Sequence, residues 1–185
     1  VGLFCLRPAK AGGRSRFISS VTVWNELFRR RPDYARSLFQ PLLFDTRGDG
    51  GLNFFPVPPC RYSHGQLRTC YHADYFRTAQ QHRGARPLSP TEAAILDLYD
   101  EICATPGLYL EMDFAPGDIQ LLSNHSVLHA RSQYVDHDEP ERKRHLLRLW
   151  LSLRSTYSPA EWPSLAREGL RLLSALGQGR LRDRR

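Results

Sequence analysis

The stretch "KRHLLRLWLSLRS", Lys143 to Ser155, limits the fold more than any other part of the chain. Side chains alternate across a strand with period two. As a strand it would set His145, Leu147, Leu149, Leu151 and Leu153 on one face and Arg144, Leu146, Arg148, Trp150 and Ser152 on the other. Leu and Arg also leave a helix open here, but the alternation favours a strand. The leucine face is apolar enough to lie buried beneath covering helices. The other face sets two guanidiniums among Leu and Trp, which is odd for a solvated surface. A guanidinium buried without an anion is costly, so this face asks for a carboxylate. Either the protein supplies it, or a bound acid is gripped by the planar fork of the arginine.

Elsewhere the pattern is mixed. "GLFCLR" and "RFISS" read as strands separated by the glycine turn "KAGGRS". "SSVTVWNELFRRRPDYARSLF" turns helical, with Ser19 or Ser20 as cap and a break at Pro32-Asp33. "SPTEAAILDLYDEICATPG" is the clearest helix: Ser89 caps it, Pro90 fills the first turn, and Glu92 completes a capping box. Ile95, Leu98 and Ile102 form its apolar stripe, and Pro106-Gly107 stops it. "LYLEMDF" and "IQLLSN", joined by "APGD", read as a β-hairpin. From Ser158 the pattern "SLAREGLRLLSAL" is helical and leads into a basic end. Strands with helices inserted between them predict a mixed α/β, mainly β chain: an antiparallel sandwich or jelly roll with helices over one face.

A formal charge of +7 over 185 residues raises the question of nucleic acid. The excess is split among "RRRPDYAR", "ERKRHLLR" and "GRLRDRR", and no aromatic-interleaved RNA-binding signature occurs, so the expectation is no nucleic-acid partner. No apolar run approaches the roughly 20 residues that span a bilayer, and no membrane partner is expected. "VGLFCLRPAK" is too short and polar for a signal peptide. The first residue is Val1 and the single Met is Met112, so the chain reads as beginning partway through a longer one. Cys5, Cys60, Cys70 and Cys103 show no zinc-type spacing. They read as reduced thiols in an intracellular, cytoplasmic protein. Oligomeric state is open.

"NHSVLHAR" holds His125 and His129, four residues apart. On a helix this spacing can hold zinc, but no Glu follows the first His and strand signals surround the pair. In an extended segment the two rings stand over about 13 Å apart, which leaves at most one metal ligand. His72-Ala73-Asp74 satisfies an H-x-D pattern, while His137 and Glu139 in "DHDEP" read as solvated turn.

From Val1 to about Tyr157 the chain resembles the taurine-dioxygenase-like family of Fe(II)- and 2-oxoglutarate-dependent oxygenases. The matching stretches are "VGLFCLRPAKAGGRS", "SVTVWNELFRRRPDYA" and, most specifically, "PGDIQLLSNHSVLHARSQYVDHDEPERKRHLLRLWLS". The resemblance implies a double-stranded β-helix (jelly roll, clavaminate-synthase-like) with covering helices over residues 1–157. It would be incomplete at its N-terminus and followed by a helix and basic tail over 158–185. By position, His129 matches the distal iron-binding His. Arg148 matches the arginine that pairs with the distal carboxylate of 2-oxoglutarate, and Arg144 a second arginine beside it. Ser15 stands where the family often has a hydroxyl bonding that cosubstrate, and His125 becomes a bystander. The family's own H-x-D motif should lie about a dozen residues before Val1, so His72 and Asp74 fall in a segment that does not bind iron there. The implied activity hydroxylates a small organic molecule with O2 while 2-oxoglutarate is decarboxylated to succinate. With one ligand of three, this chain alone would bind iron poorly. The rival readings are a non-catalytic jelly-roll binding or scaffold protein, and a basic nucleic-acid-binding module.

Overall fold

The structure, a computed structural model, describes residues 1–48, 51–63 and 65–151. The expected C-terminal helix and basic tail over 158–185 lie outside the described residues. The chain opens with β1 (Gly2–Arg7), β2 (Ala11–Gly12) and β3 (Ser15–Ser19), then α1 (Ser20–Arg30) and α2 (Pro32–Ser37). Two small hairpins follow, β4 (Leu42–Asp45) with β5 (Phe54–Val57) and β6 (Cys60–Ser63) with β7 (Gln66–Thr69). After α3 (Ala73–Thr78) and α4 (Pro90–Cys103) come β8 (Leu110–Met112), β9 (Ile119–Leu121), β10 (Val127–Arg131), β11 (Tyr134–Val135) and β12 (His145–Leu149).

Two antiparallel sheets carry the fold, ordered β12-β1-β9 and β10-β3-β8, with the short pair β11-β2 beside them. The register of the second sheet fixes its faces. Leu128 pairs with Ile18, and both join the core with Val23, Leu27, Tyr99 and Ile102 beneath α1 and α4. The alternate residues, His129 opposite Phe17 and Arg131 opposite Ser15, point the other way. The first sheet faces them: the Ser15 hydroxyl donates to Gln120 Oε1 at 3.0 Å, and Gln120 Nε2 reaches Met112 Sδ at 3.4 Å. The layers therefore run helices, second sheet, a polar interior, first sheet.

Local chemistry explains α4. Ser89 Oγ accepts from the Glu92 amide at 3.2 Å, and the Glu92 carboxylate accepts from the Ser89 amide at 2.8 Å, the expected capping box. The fork of Arg86 grips the same carboxylate at 2.6 and 2.8 Å and, against the effect of burial, holds its pKa down to about 2. α1 starts at Ser19 without a side-chain cap bond and ends with Arg29 and Arg30, which suit the negative end of its dipole and pair with Glu26. Leu27 and Ile102 are wholly buried, and each such side chain contributes roughly 1.5–3 kcal/mol over exposure.

Two expectations fail here. "LYLEMDF" and "IQLLSN" are not a hairpin, because β8 joins β3 while β9 crosses to the opposite sheet and joins β1. The local turn signal was real, but both strands find longer-range partners. The leucine face of β12 is also not covered among the described residues: Leu147, Leu149 and Leu151 are 45%, 60% and 56% exposed. The helices pack on the other sheet, and the arginine face of β12 turns toward the second sheet, with Arg144 and Leu146 partly buried and Arg148 and Trp150 exposed. No described helix is long and apolar enough to cross a membrane.

Candidate functional site

The polar interior gathers the residues that the sequence singled out. Arg148 lies opposite Leu3 in the first sheet, on the same face as Gln120 and Cys5, and so looks toward the His129 face of the second. His129 is half-buried, and its pKa falls below the usual imidazole value. Desolvation is the largest cause, followed by the positive charge of Arg148, with a smaller effect from His72. The ring is therefore held neutral near pH 7, the form in which an imidazole nitrogen can donate to a metal.

Arg144 enters the same space from the start of β12. Its Nε lies 3.4 Å from where a Cβ on Gly13 would stand, and its guanidinium lies 5.4 Å from the centre of the Tyr134 ring. Arg131, two residues beyond His129 and on the same face, stacks on that ring at 4.4 Å. Burial pulls the Arg144 pKa down from its usual range, and the neighbouring Arg131 charge adds to the effect. Among the described residues, Arg131, Arg144 and Arg148 make no ion pair with a carboxylate. The Asp136 carboxylate accepts from the Arg144 amide at 2.7 Å and its charge acts on Arg144, but three guanidiniums outnumber it, which suits a bound anion. This bears on the question raised by the β12 pattern: the protein does not supply the carboxylate among the described residues.

The loop that holds Arg144 needs glycine. Gly12 and Gly13 have φ of +71° and +74°, and a Cβ on Gly12 would run into the carbonyl oxygen of Gln133. That close approach lets β2 pair with β11 and brings Tyr134 against the arginines. Ser15 is buried, and its hydroxyl is bonded to Gln120. A cavity of about 240 Å³ beside this loop, walled in part by Lys10, Asp113 and Phe114, shares only Gly12, Gly13 and Arg144 with the site's surroundings.

The remaining candidates separate. His125 lies in the turn before β10, with its carbonyl accepting from the Thr69 amide at 2.8 Å, away from the inward row. His72 precedes α3 and stacks on Tyr75 at 4.0 Å, near enough for its charge to act on His129. Asp74 sits in the first turn of α3. Among the described residues no three His, Cys, Asp or Glu side chains come together as a metal cage, so His72 and Asp74 do not complete one with His129. Glu139 pairs with Arg142 at 3.4 Å in the loop where solvated turn was expected. Sequence reasoning missed Arg131, Tyr134 and Gln120. The period-two rule applied from His129 would have put Arg131 on the inward face, but nothing local announced the Gln120 bridge, which joins two sheets.

The taurine catabolism dioxygenase TauD, TfdA family matches residues 1–150. The chain is 28% identical over 158 residues to the FR-33289 synthase of Streptomyces rubellomurinus, covering 83% of this chain and 47% of that protein. It is 32% identical over 158 residues to the taurine hydroxylase-like protein SAT17 of Stachybotrys chartarum, covering 80% of this chain and 39% of that one. The chain thus spans about half or less of these relatives. Among solved structures, an asparagine oxygenase in complex with Fe(II), 2S,3S-3-hydroxyasparagine and succinate superposes with a TM-score of 0.59 at 16% identity, covering 78% of this chain and 42% of that one. AAD-2 in complex with Mn(II) and N-oxalylglycine superposes with a TM-score of 0.56 at 15% identity, covering 79% and 60%. At such identities these two speak for the fold, and the sequence match speaks for the lineage: the chain belongs to the TauD/TfdA family of dioxygenases.

Proposed function

We propose that this chain is part of an Fe(II)- and 2-oxoglutarate-dependent dioxygenase that hydroxylates a small organic molecule and decarboxylates 2-oxoglutarate to succinate. One observation carries the reading: a neutral, inward His129 beside arginines that have no carboxylate partner among the described residues. The donor set fits such a group in part. His129 offers one nitrogen to the metal, and the other two ligands would come from an H-x-D pair in chain preceding Val1, in keeping with the partial span of the relatives. Bound iron would supply the oxygen and redox chemistry.

The chain's own residues do the rest. Arg148 and Arg144 hold the carboxylates of the 2-oxo acid, since a guanidinium keeps its charge and grips a carboxylate through two parallel bonds. The Ser15 hydroxyl turns from Gln120 to the cosubstrate. Tyr134 keeps Arg131 and Arg144 apart while its ring face attracts both. Leu3 and Phe17, paired with Arg148 and His129, set apolar side chains beside the polar groups.

The test, on protein extended upstream of Val1 to include the H-x-D pair, is thermal unfolding with Mn(II) plus 2-oxoglutarate, together with succinate release under O2 with Fe(II). The expected outcome is stabilisation lost in His129→Ala and weakened in Arg148→Ala and Arg144→Ala. Normal turnover in His129→Ala would refute the site. No response to metal and cosubstrate in any variant would instead favour a non-catalytic jelly-roll binding protein.

A further inference from the structure

The β6–β7 hairpin carries a second pair of arginines, apart from those of β10 and β12. Arg61 lies directly opposite Arg68 in its register. Parity fixes the side they take. Cys60, Leu67 and Tyr71 pack against the helical core, and Thr69 is buried with them, its hydroxyl 3.9 Å from Cys60 Sγ. The chain stays extended past the end of β7: the Cys70 amide still donates to the Pro59 carbonyl, and His72 has φ −151° and ψ 103°. Arg61, Arg68 and His72 alternate with the core residues and so lie on the other side. In β10, Leu128 marks the same core side and His129 the opposite one. The Thr69 amide donates to the His125 carbonyl at 2.8 Å, which brings the end of β7 alongside the start of β10. Electrostatics agrees with this placement. Beyond desolvation, the charges of Arg61 and Arg68 lower the pKa of His125, while those of Arg148 and His72 lower that of His129. One polar surface therefore runs from the Arg61–Arg68 pair past His72 to His129.

Two half-buried guanidiniums face to face are a costly arrangement. Burial pulls the Arg61 pKa down from its usual range, and the Arg68 charge adds to the effect. Like charges directly opposite one another also weaken a hairpin. An anion held between the two forks offsets both costs. Arg61 and Arg68 also interact within the chain, but five donors on each guanidinium leave room for a ligand as well.

We propose that Arg61 and Arg68 bind an anionic group of the substrate, a carboxylate or a tetrahedral oxyanion such as phosphate, at a place remote from the carbon that is oxidised. The anion site stands on the hairpin alone; its role in substrate binding rests on the dioxygenase reading. Arg68 and His72 are four residues apart in extended chain, roughly 13 Å, and His72 is the end of this run whose charge reaches His129. An anion at the hairpin is therefore well separated from a carbon beside His129. Acids of two or three carbons cannot touch both places, so the substrate class is an elongated acid. The arginines of β12 then serve the cosubstrate and those of the hairpin the substrate.

The experiment has two arms, both on protein extended upstream of Val1. In the first, nuclear magnetic resonance follows the arginine Nε–H signals, without metal or 2-oxoglutarate, as sodium phosphate or sodium acetate is added at constant ionic strength. Arg61→Lys and Arg68→Lys assign the two signals. Both should shift saturably, with phosphate if the group is a tetrahedral oxyanion and with acetate if it is a carboxylate. Signals that stay fixed with both anions would overturn the proposal. In the second arm, succinate release with Fe(II), 2-oxoglutarate and O2 is followed as straight-chain acids bearing the preferred group are lengthened from two to about twelve carbons, the extended span of four residues at three bonds each. Release should rise severalfold with the longer acids only, and the rise should disappear in Arg61→Gln and Arg68→Gln. Equal stimulation by two-carbon acids, or a rise that survives both substitutions, would also overturn it. Anion-induced shifts without succinate release from any acid would count against the dioxygenase reading and for the anion site.

Discussion

Replacing Gly12 with Ala, with Gly117→Ala as the reference, tests how the arginine loop is built. Both glycines have positive φ, +71° and +93°, so both substitutions carry the left-handed penalty of about 1–2 kcal/mol for a residue with a Cβ. A stiffer unfolded chain returns roughly 0.4–1 kcal/mol in each case. At Gly117 nothing stands within 4 Å of the added carbon, so the net loss there is about 1 kcal/mol. At Gly12 the carbon collides with the Gln133 carbonyl and lies 3.2 Å from Tyr134 Cα. These are backbone atoms and cannot rotate away. Moving that carbonyl also breaks the bond it accepts from the Gly13 amide at 3.0 Å. Overpacking adds about 1–3 kcal/mol and the lost bond about 1, for a total of roughly 3–5 kcal/mol. With a urea slope of about 2 kcal/mol per molar, the midpoint should fall by about 1.5–2.5 M for Gly12→Ala and about 0.5 M for Gly117→Ala. Equal shifts would refute the close-approach argument, leaving only a turn conformation shared by both sites. Because Tyr134 moves with Gln133, Gly12→Ala should also weaken cosubstrate binding in protein that remains folded.

Two pH predictions follow from charge. Desolvation depresses the pKa of His129, and those of His72 and His125 move the same way. The unfolded chain therefore binds more protons, and stability present above about pH 6.5 should be lost as pH falls through the folded values. Thermal midpoints measured from pH 8 to 5 should decline, less so in His129→Gln, and a flat profile would contradict the desolvation of His129. Glu92, held down to about 2, contributes stability that is full above about pH 4.5 and lost as pH falls toward 2. Glu92→Gln should cost about 1–2 kcal/mol at pH 7 and little at pH 2 by urea unfolding, since the substitution breaks charge-assisted bonds that acid also removes.

Features set by nearest neighbours in sequence were readable in advance. The Ser89–Glu92 box, the Pro32 break and the strands GLFCLR and RFISS depend on a few adjacent residues, and each stands where the pattern put it. The period-two split of β12 was also right about which residues share a face. What could not be read was which face turns inward, because that depends on where α1 and α4 settle, more than a hundred residues away for α1. The same limit explains the false hairpin. A turn and two alternating runs are common to a hairpin and to a crossing between sheets, and only the competing pull of β1 and β3 decides between them. Of the candidate site, the arginines of β12 were singled out by strand parity and resemblance, and His129 by resemblance alone. Arg131 was legible from parity alone, while Gln120 and Tyr134 matter through partners distant in sequence.

The central place of β1 has a consequence during synthesis. Its Gly2 pairs with Leu121 on one side and Leu149 on the other. β1 must therefore wait until β9, at residues 119–121, has been made before it has either neighbour. At about 5–20 residues per second that delay lasts many seconds, during which β1 has two unsatisfied edges. Bringing Gly2 to Leu149 costs on the order of 4 kcal/mol of chain entropy before any contact repays it. Much of the helical layer closes over shorter loops and can form first, as contact-order reasoning expects. Among the described residues, the arginine row is then the last part to be assembled. A nascent chain released before residue 145 would fold its helices yet present His129 to solvent with no opposing Arg148, so a chaperone that shields GLFCLR until translation ends would act on the yield of the site more than on that of the core.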